Sequence, residues 1–173
     1  MGKRSAFDRR ERDFYPTPLV AVMPLLSHLP ICNFMEPCAG DGSLIRALEH
    51  LGNRCLWASD IEKRVDGICE VDALDLIGAD GCDFIVTNPP WTRSILHPMI
   101  EHFSDMRPTW LLFDADWVHT KQAAPYLPRL RKIVSVGRVK WIEDSPHTGK
   151  DNCAWMHFDK PRENNIIEFV GRS

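Results

Sequence analysis

Ile31-Cys32-Asn33-Phe34-Met35-Glu36-Pro37-Cys38-Ala39-Gly40-Asp41-Gly42-Ser43 passes from a short apolar run, through a turn holding two glycines, into a stretch with helical apolar spacing. Residues 31–35 are too few for a helix and read as a strand. Residues 43–51 read as a helix closed by Gly52. Gly40 and Gly42 let the backbone turn tightly and approach a ligand with no Cβ in the way. The same alternation continues on both sides. Before it, residues 18–29 have helical spacing, with Thr17 as the expected N-cap, Pro18 at the first helical position and Pro24 as a kink. After it, residues 56–59, 68–71 and Phe84–Thr87 read as strands, residues 94–103 as a helix, 110–113 as a strand and 117–127 as a helix carrying Pro125 near its end. Strands are then expected at 133–136, 139–142, 153–158 and 166–170. Strand–helix alternation followed by late strands predicts an α/β fold with a mainly parallel sheet and helices on both faces.

The chain has 173 residues, 44% apolar and 26% charged, as expected of a single globular domain spanning 1–173. No apolar run is long enough for a membrane span, and the charged start, MGKRSAFDRRERDFY, does not suit a signal peptide. A cytoplasmic protein is expected. Its six cysteines, none spaced as CxxC, are expected to be reduced and buried rather than zinc ligands. The net charge of −3 is unevenly distributed. Residues 36–83 carry eleven acidic and four basic groups, whereas residues 118–142 carry six basic groups and no Asp or Glu. That asymmetry fits either a polyanion-binding face or a solvated basic surface.

Four positions carry chemistry. Glu36-Pro37-Cys38-Ala39-Gly40-Asp41-Gly42 holds GxG without the third glycine of a dinucleotide fingerprint, so alone it is a weak signal. Glu36 at the strand end suits a cationic or hydroxyl-bearing ligand better than a phosphate. Asp60 ends the second strand, where nucleoside-binding α/β folds place an acid on the ribose hydroxyls; the plain alternative is a surface Asp beside Glu62 and Lys63. Asp72 follows the third strand and could accept from an adenine amine or cap a short helix starting at Ala73. The sharpest signal is Asn88-Pro89-Pro90-Trp91. Two prolines stiffen the turn and remove two donors, leaving nearby carbonyls as acceptors. Asn88 adds a side-chain acceptor and Trp91 a stacking surface, a set that suits a planar base with an exocyclic amine.

In this order the four signals resemble the class I S-adenosylmethionine-dependent methyltransferases, and among them the amino-methyltransferases of the DNA N6-adenine type. Tyr15-Pro16-Thr17-Pro18 is similar to that family's N-terminal Tyr-x-Thr-Pro motif. The resemblance implies a Rossmann-like sheet of seven strands with the last antiparallel, and S-adenosyl-L-methionine as cofactor. It would be held by Tyr15, Thr17, Glu36, Pro37, Ala39, Gly40, Gly42, Asp60, Ile61, Asp72, Ala73 and Asn88. Catalysis would fall to Asn88, Pro89, Pro90 and Trp91. Asn88 and the Pro89 carbonyl would accept the amine's two N–H bonds and favour a pyramidal nitrogen. Asp114 and Asp116 would border the pocket, and Trp117 would be either a second wall or a core residue.

DNA is the expected partner. RNA bases or a protein glutamine are alternative substrates of the same motif, and a catalytically silent binding subunit is a further alternative. Arg9, Arg12, Arg138 and Lys140 are the expected phosphate contacts, within an N-terminal cluster (Lys3, Arg4, Arg9, Arg10, Arg12) and a later one (Lys121, Arg129, Arg131, Lys132, Arg138, Lys140). The interval from Asp72 to Asn88 is too short for a target-recognition region. Specificity is therefore expected either to come from short loops, a dimer mate or an accessory partner, or to be low.

Overall fold

A computed structural model of the chain describes residues 15–142 and 148–172. Eight strands form one sheet: β1 (Asn33–Glu36), β2 (Arg54–Asp60), β3 (Cys69–Glu70), β4 (Phe84–Thr87), β5 (Thr109–Asp114), β6 (Leu130–Arg138), β7 (Asn152–Phe158) and β8 (Glu168–Val170). Their spatial order is β3-β2-β1-β4-β5-β7-β6-β8. The first five run parallel. β7 is antiparallel to both its neighbours, and β8 runs parallel to β6. The Rossmann-like architecture is as expected, with one strand more than the seven anticipated: the antiparallel strand is the penultimate one, and β8 extends the edge.

The central strands are apolar on both faces because both faces are covered. On one face Met35, Ile85, Leu111, Phe113 and Met156 pack under Leu96, Met99, Ile100 and Phe103 of α3 (Arg93–Met106). On the other, Phe34, Val86, Trp110, Leu112 and Trp155 pack under Leu25 and under Leu44 and Leu48 of α2 (Ser43–His50). Each fully buried side chain of this size contributes roughly 1.5–3 kcal/mol by leaving water.

Proline chemistry explains most departures from the expected elements. The first helix is short: α1 covers Leu19–Val22 and passes into a 3₁₀ turn at Met23–Leu25, which contains Pro24. Its N-cap is Pro18 rather than Thr17, whose hydroxyl is used elsewhere. The helix expected over 117–127 is instead two 3₁₀ stretches, Ala115–His119 and Lys121–Arg129. Pro125 and Pro128 lie in the second and cannot donate to an α-helical ladder. The strand expected at 133–136 lies within the longer β6, which ends at Arg138, and the span 139–142 expected to be a further strand is in none. Gly137, at φ +85°, and the register shift between Ser135 and Gly137 turn the chain out of the ladder.

The strand order places the site. The chain runs from β1 outward to β2 and β3, then returns to β4 on the other side of β1. The connections leaving β1 and β4 therefore diverge, opening a crevice at their carboxyl ends. Glu36 ends β1 and Thr87 ends β4, so the glycine turn and Asn88 face each other across that crevice.

Candidate functional site

The glycine turn is tied to the end of β2 from two sides. The Ala39 amide donates to the Ser59 carbonyl at 2.9 Å, and the Gly40 amide to Asp60 Oδ2 at 2.8 Å. Gly40 and Gly42 adopt φ of +55° and +77°, a region open to glycine and strained for other residues. Asp41 Oδ1 accepts from the Ser43 amide at 2.9 Å, satisfying one of the free donors at the start of α2. Arg46, one turn on, donates to the Asp41 carbonyl at 2.6 Å.

Two carboxylates at strand ends play different parts. Asp60 holds the turn and also accepts from the Glu62 amide through Oδ1 at 3.1 Å, with a lone pair on each oxygen left over. Glu36 is 1% exposed, and its Oε2 has no hydrogen-bond partner among the described residues. Burial first, then the charges of Asp60 and Asp41, push its carboxyl well above the ordinary range, and Arg46 opposes them. An orphaned carboxyl oxygen in a cavity wall is costly unless something that donates or carries positive charge fills the space. Asp72 realises the capping alternative, since its Oδ1 accepts from the Leu74 amide at 2.9 Å ahead of the 3₁₀ turn Ala73–Asp75. It lines the cavity as well.

At the end of β4, Asn88 is held at both ends of its amide. Nδ2 donates to Thr17 Oγ1 at 3.2 Å, and Oδ1 accepts from the Trp91 indole at 3.3 Å. Trp91 is half-buried and meets Trp141 edge to face, with centroids 5.8 Å apart and planes at 81°. Trp141 in turn lies 6.4 Å from the Tyr15 ring. Trp141 follows β6, in the span expected to be a strand; an aromatic there carried no sequence signal as a site residue.

A cavity of about 720 Å³ joins these parts. Of the expected cofactor residues, Tyr15, Thr17, Glu36, Pro37, Ala39 and Gly40 line it, as do Asp60, Ile61, Asp72, Ala73 and Asn88. Gly42 shapes the turn without lining the cavity. Of the expected catalytic residues, Asn88 and Pro90 line it, whereas Pro89 is buried and Trp91 stands behind Asn88. Asp41, Arg64 and Ser94 also line the cavity and were not singled out in the sequence. Trp117 is a core residue, fully buried, its indole donating to His97 Nε2 at 3.0 Å. Asp114 does not line the cavity but pairs with Arg93 at 2.9 Å, and Asp116 is exposed away from it.

The later basic cluster is split by the length of β6. Arg129 pairs with Asp105 at 2.6 Å, Arg131 donates to Asn165 Oδ1 at 2.6 Å, and Lys132 pairs with Glu168 at 2.9 Å. These three sit at the start of β6, opposite the crevice. Arg138 and Lys140 are exposed at its far end, which points the same way as β5 and the crevice. Arg172 joins them from beyond β8, packed so closely that a Cβ on Gly137 would stand 2.9 Å from its Nη1. Arg9 and Arg12, with Lys3, Arg4 and Arg10, lie outside the described residues. Cys32, Cys82 and Cys153 are buried, while Cys69 is exposed, contrary to expectation; all six are free thiols.

No protein-family model and no curated sequence matches the chain. Solved structures do. A candidate RNA methyltransferase of Pyrococcus horikoshii is similar at 16% identity and a TM-score of 0.57, with 92% of this chain and 95% of that one covered. A candidate class I S-adenosylmethionine-dependent methyltransferase of Listeria monocytogenes is similar at 10% identity and a TM-score of 0.56, covering 89% of this chain and 63% of that one. The type IIG restriction endonuclease BpuSI is similar at 15% identity and a TM-score of 0.57; 87% of this chain matches 25% of its length. The fold is thus one that S-adenosylmethionine-dependent methyltransferases share. The chain spans less than two thirds of the Listeria protein and a quarter of the endonuclease.

Proposed function

We propose that the protein transfers a methyl group from S-adenosylmethionine to an exocyclic amine, that of adenine N6 in DNA. The observation carrying this reading is the position of the Asn88 carboxamide, on the rigid Pro89-Pro90 turn and across one cavity from the glycine turn. The donor set fits the cofactor. Glu36 and Asp72 offer carboxyl oxygens, Asp60 keeps free lone pairs at the position suited to ribose hydroxyls, and an acidic wall suits a cationic ligand. Ile61 and Leu74, half-exposed at the cavity's edge, offer apolar surface to a purine ring.

Bound there, S-adenosylmethionine supplies an activated methyl group on a sulfonium. The protein's own work is then positioning and acceptance of charge. An aromatic amine is a weak nucleophile because its lone pair is delocalised into the ring. Accepting its two N–H bonds, by Asn88 Oδ1 and the Pro89 carbonyl, draws the nitrogen toward a pyramidal state and stabilises the positive charge that grows on it. No strong base is needed, and the proton leaves to solvent once the nitrogen is quaternised. A base within a duplex must first be extruded, and the Tyr15 ring in the cavity wall, with Trp91 next to Asn88, would offer it stacking surface.

One similar structure is a candidate RNA methyltransferase, so the shared fold favours DNA no more than RNA as the substrate. Parallel transfer of labelled methyl groups to DNA, RNA and protein tests the reading, with mass spectrometry of the digested nucleosides. N6-methyladenine in DNA is expected. Label found only in RNA or in protein would reassign the substrate, and none in any would overturn the activity.

A further inference from the structure

We propose that Thr17 is a positioning residue: with the Trp91 indole it fixes which end of the Asn88 carboxamide faces the reacting amine. This rests on the reading of Asn88 as the amine's acceptor. The two ends of a carboxamide are nearly equal in size and opposite in function, since the oxygen only accepts and the nitrogen only donates. An Asn rotated by half a turn would set N–H against the N–H of the substrate and repel it.

Two partners remove that ambiguity. The indole of Trp91 is a donor with no accepting lone pair, so its contact with Asn88 at 3.3 Å is favourable only to Oδ1. Thr17 Oγ1 takes Nδ2 at 3.2 Å on the other side. The indole uses one of the oxygen's two lone pairs and leaves the other for the substrate. Both partners are themselves held. Thr17 is 6% exposed, precedes Pro18, which keeps its backbone extended, and leads into α1, whose Ala21 and Val22 are fully buried. Trp91 is braced edge-on by Trp141. The arrangement also gives a reason for tryptophan at position 91: a phenylalanine would stack as well but could not donate.

The test uses Thr17→Val, which keeps the shape and removes the hydroxyl, together with Thr17→Ser and Trp91→Phe. Three quantities are read: kcat at saturating cofactor, the cofactor Kd by calorimetry, and the indole N–H resonance of Trp91 in a ¹H–¹⁵N spectrum. Thr17→Val is expected to lower kcat by about tenfold or more with the cofactor Kd nearly unchanged, and Thr17→Ser to restore most of it. Trp91→Phe is expected to lower kcat comparably and to identify the indole resonance by its loss. That resonance should shift in Asn88→Ala and in Thr17→Val. Parental kcat in Thr17→Val would overturn the proposal, as would a loss of cofactor affinity that saturation fully repairs. If the parent methylates nothing, the functional reading fails. The spectrum then still decides the local arrangement, which a resonance indifferent to both variants would refute.

Discussion

Asn88 and Glu36 show how single residues divide the labour. Asn88 has both ends of its amide occupied and one acceptor site to spare. Asn88→Ala is expected to lower kcat by about 10²–10³-fold while leaving cofactor affinity within a few-fold, because the lost interaction is with charge that develops only during transfer. Single-turnover kinetics beside calorimetry separate the two. Glu36 is in the opposite condition, with a carboxyl oxygen that lacks a partner among the described residues. Its raised pKa fixes a sign. Below the ordinary value of 4.5 the carboxyl is protonated in both folded and unfolded chains and contributes nothing. Above it the unfolded chain releases its proton while the buried group holds on, so the protein loses stability as pH rises until the folded group also titrates. Glu36→Gln removes that loss. In urea denaturation the variant should gain on the parent between pH about 4 and about 7, at the expense of cofactor affinity. A gain that is the same at both pH values would show that Glu36 is not held protonated.

Among the elements, the turn between β1 and α2 combines local and tertiary demands. Gly42 is at φ +77° as the N-cap of α2, and a Cβ there would lie 3.3 Å from Arg46 Nη1, the end of a flexible side chain that can move. Strain in the backbone, not a clash, is thus what alanine would bring. Gly42→Ala is expected to cost about 1–2 kcal/mol in chemical denaturation, and to weaken the cofactor because the Gly40 amide and Asp60 are set by the same turn. An unchanged midpoint would mean that the turn relaxes without effort. The proline-rich stretches Met23–Leu25 and Lys121–Arg129 illustrate the reverse, where local chemistry overrides an apolar helical pattern and leaves only 3₁₀ turns.

Across the whole molecule, charge is sorted by the ends of the sheet. The acidic cavity lies at the carboxyl ends of β1 and β4, and Arg138, Lys140 and Arg172 stand at the same end on the far strands. The cations at the start of β6 are engaged with Asp105, Asn165 and Glu168 instead. With a net charge of −3 there is no general attraction to a polyanion, so the DNA binding that the proposed function requires is expected to be weak, local and salt-dependent. Arg138→Ala with Lys140→Ala is expected to weaken binding on all sequences alike, and to flatten the slope of log affinity against log salt by up to about 2. Parental binding across a salt titration would remove this face from the interface.

Local and ladder-forming features were legible in the sequence. β4 falls where its apolar run predicted, because Asp83 and the Asn-Pro-Pro turn bound it chemically on both sides. The glycine turn, the acids ending β1 and β2, and Asn88 were readable because each depends on residue type at a strand end, and strand ends follow from the alternation of apolar runs and turns. What the sequence could not set was anything that depends on which strands become neighbours. β6 runs beyond its expected span at both ends along β7, and β8, expected as a strand, takes its place beside β6; both outcomes are set by pairing, which no local pattern encodes. The basic cluster looked continuous along the chain, yet an extended strand carries its two ends far apart, so its members face opposite ends of the sheet. Trp141 comes to Trp91 from 50 residues away and Thr17 to Asn88 from 71, the latter by a hydrogen bond. Those meetings, and with them the orientation of one amide, are decided by the closure of the sheet and not by any stretch of sequence.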